Sequence, residues 1–241
     1  MVMFLLDLLF PKICVGCGFL GSYICLNCRK KLIYIAKDSC PYCQRPSLYG
    51  ITHPSCRKRN GLDGSLSLFA YNNFFKKLLS QIKYRGAREI LSELFQSIEP
   101  KNIDKLTFFT IILRFPVLNP VPLFSQKAKE RGFNQAKLVA DFFSLLLRLP
   151  VSQSLKRIKN TNSQAQIKHI PERSQNMKNA FQVIPPLGKT YIVVDDVITS
   201  GATIMEAALT LKRGGASKVF GLTLAKGYTG SPSKKSIIMS L

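Results

Sequence analysis

The stretch Ile192-Val193-Val194-Asp195-Asp196-Val197-Ile198-Thr199-Ser200-Gly201-Ala202-Thr203 decides how the chain is read. An apolar strand delivers two carboxylates at its carboxyl end, and a short loop of hydroxyls and glycine leads straight into a helix. Such a loop suits a monophosphate. Gly201 lets the backbone close around an anion, N–H groups and the positive helix end face it, and Thr199, Ser200 and Thr203 add hydroxyl donors. Carboxylates beside a phosphate repel it, so Asp195 and Asp196 make sense where they address the next part of the ligand, a sugar hydroxyl or a divalent cation. A sugar 5-phosphate fits this arrangement. The plainer alternative is a helix start that its acids and hydroxyls merely cap.

Around that string the rhythm is a strand over 191–194, a helix over 203–213, Gly214-Gly215 and a strand over 218–225, which makes a βαβ unit with a parallel sheet. Upstream, residues 66–71 alternate as a strand, and Phe74, Phe75, Leu78, Leu79 and Ile82 have helical spacing up to Tyr84. A second helix is predicted over 87–98. The apolar run 106–118 reads as partly strand, ending at Asn119-Pro120-Val121-Pro122, where the prolines forbid further helix. Gly132 opens a turn, and Asn134 caps a helix to about Leu147 with Leu138, Val139, Phe142, Leu145 and Leu146 on its buried side. Residues 152–178 are polar and basic and read as a long mobile connection, of the length that is usually functional. The tail 228–241 reads as a loosely packed extension.

All the cysteines lie between positions 14 and 56, as Cys14-x2-Cys17, Cys25-x2-Cys28, Cys40-x2-Cys43 and a fourth pair, His53-x2-Cys56. Ligands two residues apart sit on one tight turn, and two such knuckles complete the four-coordinate shell of structural zinc. The direct grouping is an all-cysteine site from Cys14, Cys17, Cys25 and Cys28 and a mixed site from Cys40, Cys43, His53 and Cys56. An interleaved grouping, first pair with third, is the other solution, and His53 also reads as an ordinary surface histidine. The odd count of 7 cysteines disfavours disulfides. A closed shell leaves no position for water, so the metal is expected to hold the fold and not to catalyse. Residues 1–62 are therefore expected to form a zinc-binding module, and residues 63–227 an α/β domain.

The chain's 35 Lys and Arg against 13 Asp and Glu give +22, an excess that calls for a polyanionic or phosphorylated partner. Nucleic acid, an acidic membrane surface and a phosphorylated metabolite all fit, as does generic basicity. Arg29-Lys30-Lys31 and Arg57-Lys58-Arg59 read as phosphate contacts or as solvated faces, and five basic residues crowd 76–88. Tyr42, Tyr49 and Tyr84 have basic neighbours and are candidates to stack on bases, with core packing as the alternative. No apolar stretch reaches the ~18 residues of a membrane span. The apolar opening residues 1–10 carry Asp7 and no basic leader, which argues for a short helix and a cytoplasmic protein.

The string 192–203 resembles the phosphoribosyl-pyrophosphate (PRPP) binding motif of type I phosphoribosyltransferases. With Val121-Pro122-Leu123, Arg131-Gly132-Phe133-Asn134-Gln135, then Arg157, Thr161 and Gln164, then Arg173, Asn176, Ala180 and Phe181, and the amino-terminal knuckles, the chain is similar to the ComF family over about residues 10–226. The resemblance implies an α/β fold with a type I phosphoribosyltransferase-like parallel sheet flanked by helices, behind a small zinc-ribbon-like module. It implies handling of incoming single-stranded DNA in natural competence. Asp195 and Asp196 would meet ribose hydroxyls, and Val197 to Thr203, including Ala202, would wrap the 5-phosphate. Val121 and Pro122 would face pyrophosphate, with Lys127 and Arg131 adding charge. Lys127 also reads as an exposed helix residue, and Arg131 as half of a structural ion pair. Arg157, Lys159 and Gln164 would form a lid, and Mg2+ would accompany PRPP if pentosyl transfer occurs. His53 replaces a usual cysteine and Phe124 a common histidine. His169 reads as a surface residue, and no acceptor pocket is recognisable.

Overall fold

The computed structural model describes residues 11–82, 87–114, 116–161, 170–185 and 189–227, and of residues 131, 170 and 171 the backbone alone. Residues 1–10, Tyr84, Gln164, His169, the tail 228–241 and the Arg131 side chain lie outside the described residues. The elements run α1 (Leu26–Arg29), β1 (Gly64–Ala70), α2 (Asn73–Ile82), α3 (Ala87–Gln96), α4 (Pro100–Ile112), β2 (Val117–Pro120), α5 (Ser125–Arg131), α6 (Gln135–Leu147), β3 (Leu155–Arg157), α7 (Ile170–Met177), β4 (Phe181–Val183), β5 (Thr190–Ile198), α8 (Ala202–Arg213) and β6 (Lys218–Lys226).

A four-stranded sheet in the order β1-β6-β5-β2 is parallel throughout. Its central strands are buried on both faces, which explains their unbroken apolar runs. Along β5, Ile192 and Val194 enter one core cluster with residues of α2, α3, α4 and α6. Tyr191 and Val193 enter the opposite cluster with Ile204, Ala207, Ala208 and Leu211 of α8. The antiparallel pair β3–β4 contributes Leu155 and Phe181 to that second cluster.

Three expectations are corrected. The apolar run 106–118 is mostly helix, and strand begins only at Val117. Pro100 at the first turn starts α4 well before the run, and Leu106, Phe109 and Leu113 are buried on one side. Phe108, Ile111 and Ile112 stay exposed, so apolar residues all round the helix hid its period. Arg114, with φ 54, then turns the chain into β2. On α6 the expected buried Leu145 is 80% exposed, and Ala140 and Phe143 face inward instead. The connection 152–178 contains β3 and α7, because Leu155 and Met177 find the second core cluster.

The cysteine-rich segment packs directly on the sheet domain. Cys14, Ile24, Cys28 and Leu32 belong to the same cluster as Phe74 and Phe75. The Ile24 N–H donates to Glu93 Oε2 at 2.8 Å, and Tyr34 Oη donates to the Ser97 carbonyl at 2.9 Å. Tyr34 bridges to Phe69 along the free edge of β1, and the Ile35 N–H donates to the Leu68 carbonyl at 2.9 Å. Lys105 pairs with Asp38 at 2.7 Å.

Asn134 does two jobs where β2 hands over to α6. Its Oδ1 accepts from the Ala136 N–H at 3.0 Å, and its Nδ2 donates to the Val121 carbonyl at 2.9 Å. Asn134→Ala is expected to lower unfolding stability by about 1–2 kcal/mol in chemical denaturation, and Asn134→Ser to recover the capping part.

Candidate functional site

β2 and β5 are neighbours, yet the helices that follow them pack on opposite faces. Val139, Ala140 and Phe143 of α6 lie in one core cluster, and Ile204, Ala207 and Ala208 of α8 in the other. Adjacent parallel strands with divergent connections open a crevice at their carboxyl ends, the usual ligand position in such sheets. The crevice gathers Asp195, Asp196, the loop to Thr203 and the turn at Val121-Pro122.

β5 continues four residues past the expected end at Val194, since Val197 and Ile198 still pair with Ala225 and Lys226. Asp195 and Asp196 are therefore strand residues, with their carboxyls in direct interaction. The Asp196 N–H donates to Asp195 Oδ1 at 3.0 Å, and the Val197 N–H to Asp196 Oδ1 at 2.8 Å. Burial, then the adjoining Asp196 carboxylate, hold the Asp195 carboxyl well above its usual range, while the Arg157 guanidinium pulls the other way. Tyr71 lies near Asp196, and burial followed by that carboxylate raises its phenol.

The loop after β5 ends in Gly201 at φ 78, a left-handed conformation that favours glycine. A Cβ there would stand 3.3 Å from Met205 Cε. Gly201 and Ala202 are buried, while Thr199, Ser200 and Thr203 are half-buried at the start of the 12-residue α8. Arg173 of α7 donates from Nη1 to Thr199 Oγ1 at 3.3 Å, bringing a cation to the loop that sequence reasoning gave no role.

The Val121 N–H donates to the Val194 carbonyl at 2.9 Å. Since Pro122 has no N–H, neither residue offers a donor to pyrophosphate. Lys127 donates to the Thr161 carbonyl at 2.6 Å, tying α5 to the end of the β3 segment. Arg157 is part of β3, bonds Thr161 Oγ1 and lies 5.8 Å from the Phe181 ring centroid. Its Nε is buried without a hydrogen-bond partner. Lys159 is exposed. Tyr42 is held by the Leu62 N–H at 2.7 Å, and Lys58 covers its ring at 5.1 Å, so its ring is engaged within the protein.

The cysteine segment forms two ligand clusters, Cys14, Cys17, Cys25 and Cys28, and Cys40, Cys43, His53 and Cys56. Within each, the ligand atoms all lie within 4.8 Å of one another, so the direct grouping holds and the interleaved one does not. Sulfurs about 2.3 Å from a tetrahedral zinc stand about 3.8 Å apart. Cys17 and Cys25 Sγ are 3.6 Å apart, and Cys43 Sγ is 3.3 Å from His53 Nδ1. His53 Nε2 lies 3.1 Å from the Pro46 carbonyl. A proton on Nε2 satisfies that carbonyl and leaves the Nδ1 lone pair for a metal, the usual support for a zinc-bound histidine. Burial opposes ionisation of Cys14, but N–H groups of Cys25, Gly16 and Cys17 outweigh it and lower the thiol to about 6. Arg45 chiefly lowers Cys43 to about 6. Both clusters fit structural zinc.

A family model described as a double zinc ribbon domain matches residues 5–58. Competence protein ComFC of Bacillus subtilis is 32% identical over 221 residues, which cover 84% of each chain. DNA utilization protein YhgH of Escherichia coli K12 is 28% identical over 219 residues, 87% of this chain and 94% of its own. Competence protein F of Haemophilus influenzae is 35% identical over 105 residues, 42% of this chain and 45% of its own. The fold and sites thus define a double zinc-ribbon protein built on a parallel α/β sheet. The chain belongs to the ComF family.

Two predictions follow from these sites. Metal analysis should find two zinc ions per chain, with His53→Cys keeping both and His53→Ala losing one. Protons compete with the metal for the thiolates, so acidification should release zinc to a chromophoric chelator while neutral pH retains it. Asp195 has its folded carboxyl raised above the ordinary 3.8, so its ionisation opposes folding as pH rises. Asp195→Asn should raise the unfolding midpoint at pH 7, with the gain shrinking as pH falls toward about 4. A lowered midpoint at pH 7 would contradict that reading.

Proposed function

We propose that the crevice between β2 and β5 binds PRPP or a ribose 5-phosphate-type ligand, and that the protein handles single-stranded DNA during DNA uptake. One observation carries the ligand reading: two adjacent carboxylates, one of them strongly disfavoured as an ion, stand at the strand end beside a glycine-turned helix start. Stability alone gives no reason for such a pair, whereas sugar hydroxyls would satisfy both. In this reading Asp195 and Asp196 hold the ribose hydroxyls and any accompanying Mg2+. Val197, Thr199, Ser200, Gly201, Ala202 and Thr203 surround the 5-phosphate, joined by Arg173.

The pyrophosphate side consists of Lys127 and Arg131, with Val121 and Pro122 shaping the wall. Arg157, Lys159 and Gln164 take the lid role that the family resemblance implies. Because the Val121 N–H is already spent in the sheet, we favour ligand binding over pentosyl transfer. Residues 1–62 act as the zinc-held module, residues 63–227 as the ligand domain and 228–241 as an appendage. Among the described residues no helix is long and apolar enough to cross a membrane.

The names of the relatives, competence protein and DNA utilization protein, support the DNA role, and the +22 charge supports a polyanionic partner. A cytoplasmic encounter with the incoming strand fits both.

Titrating zinc-loaded protein with PRPP and Mg2+ in a calorimeter should give saturable heat, and Asp195→Asn with Asp196→Asn should weaken binding at least tenfold. No heat with either PRPP or ribose 5-phosphate would overturn the ligand reading. Pyrophosphate release with a panel of bases would convert it into a phosphoribosyltransferase. For DNA, log affinity for an oligonucleotide should fall against log salt with a slope of about −0.7 per phosphate neutralised. A flat salt dependence would sink the electrostatic part.

A further inference from the structure

A second site lies on the far side of β6 from the crevice centre, between the sheet and the second zinc cluster. A cavity of ≈ 290 Å³ opens there, lined by Ile35, Ser39, Gln44, Pro46, Ser65 and Lys226 among others. That space equals about ten water molecules, near the lower limit for small-molecule pockets. Its zinc-side wall is the chain just before and after Cys40 and Cys43, and its floor is the serine face of β1.

Lys226 is the decisive side chain. It ends β6, and its ammonium is drawn into the cavity, where it donates to Ser39 Oγ at 2.7 Å and Gln44 Oε1 at 2.9 Å. Both acceptors are neutral. The carboxylate of Asp38 is near enough to favour the charged form, but Asp38 is already paired with Lys105 at 2.7 Å. Lys37 and Asp38 both line the cavity, so the Asp38 charge that Lys105 does not offset is met there by Lys37. Burial lowers the Lys226 ammonium below its usual range, ahead of the opposing pull of Asp38 and Cys40. A half-buried cation with neutral ligands gains most from an incoming anion. Ile35 and Pro46 offer apolar surface beside it, which suits an anion with an apolar body better than a bare inorganic one.

We propose that this cavity binds a small organic oxyanion, its charged group on Lys226 beside Ser39 and Gln44 and its apolar body against Ile35 and Pro46. The site is placed to communicate with the crevice. Lys226 pairs in register with Ile198, and the Gly227 N–H donates to the Ile198 carbonyl at 2.8 Å, one residue before Thr199. The inference stands on these contacts and does not rest on the sugar-phosphate reading.

The test uses full-length, zinc-loaded protein with benzoate as the probe and benzamide as its neutral isostere, followed by ligand-observed NMR titration. Benzoate should bind at least tenfold more tightly than benzamide. Lys226→Met should erase that difference, Lys226→Arg should keep much of it, and Asp195→Asn with Asp196→Asn should leave it intact. Equal binding of the two probes, no benzoate binding to the wild type, or full binding to Lys226→Met would each overturn the proposal. So would a site that takes an oligonucleotide but not benzoate. Zinc content and circular dichroism of each variant separate lost binding from lost folding, and the wild-type contrast between probes decides the matter even if Lys226→Met does not fold. Loss of PRPP binding with benzoate binding retained would refute only the crevice reading.

Discussion

Two consecutive carboxylates at the end of a buried parallel strand repel each other and lose hydration, and the rest of the structure is arranged around tolerating them. β6 pairs with β5 through Ile198, whereas β2 pairs only as far as Val194, so Asp195 and Asp196 are held in line from the β6 side. Although the strand pleat alternates their directions, the two carboxyls stay close enough to interact directly. Arg157 favours the charged form of Asp195, and N–H groups of the strand itself donate to both carboxylates. The residual cost is what motivates the proposed ligand site, because nothing in core packing requires either acid.

The zinc clusters extend this logic outward. Cys14 and Cys28 of the first cluster belong to the main core, and the second cluster sits above Lys226, which is the register partner of the last residue of β5. Metal binding therefore shapes surfaces next to the crevice as well as holding a small segment together. Each cluster closes with four protein ligands, which suits support rather than chemistry. The strand ends and the second ribbon are connected through short covalent and hydrogen-bonded paths.

Much of this was legible in the linear chain. The β5–α8–β6 unit announces itself because an unbroken apolar run, a hydroxyl-glycine loop and a glycine pair follow one another over a few dozen residues. The knuckle spacing likewise marked all eight candidate ligands, while the choice between direct and interleaved pairing and the part played by His53 waited for three dimensions. α4 was obscured because Phe108, Ile111 and Ile112 are apolar yet exposed, so no single face stood out. Leu145 was misplaced for the same reason. Arg173 on Thr199, Tyr71 near Asp196 and Lys226 in its cavity arise from contacts between distant segments, and no local pattern carries such information. The consumed N–H of Val121 also appears only once β2 is seen beside β5.

The claim on which the account turns is that the two β5 carboxylates face a phosphorylated pentose. A crystal structure of the zinc-loaded protein soaked with PRPP and Mg2+, phased with the zinc anomalous signal, tests it most directly. The account requires the 5-phosphate within hydrogen-bond distance of the chain between Thr199 and Thr203, and the ribose hydroxyls on Asp195 and Asp196. Sugar density placed elsewhere, with both carboxylates bonded only to protein groups, would contradict it.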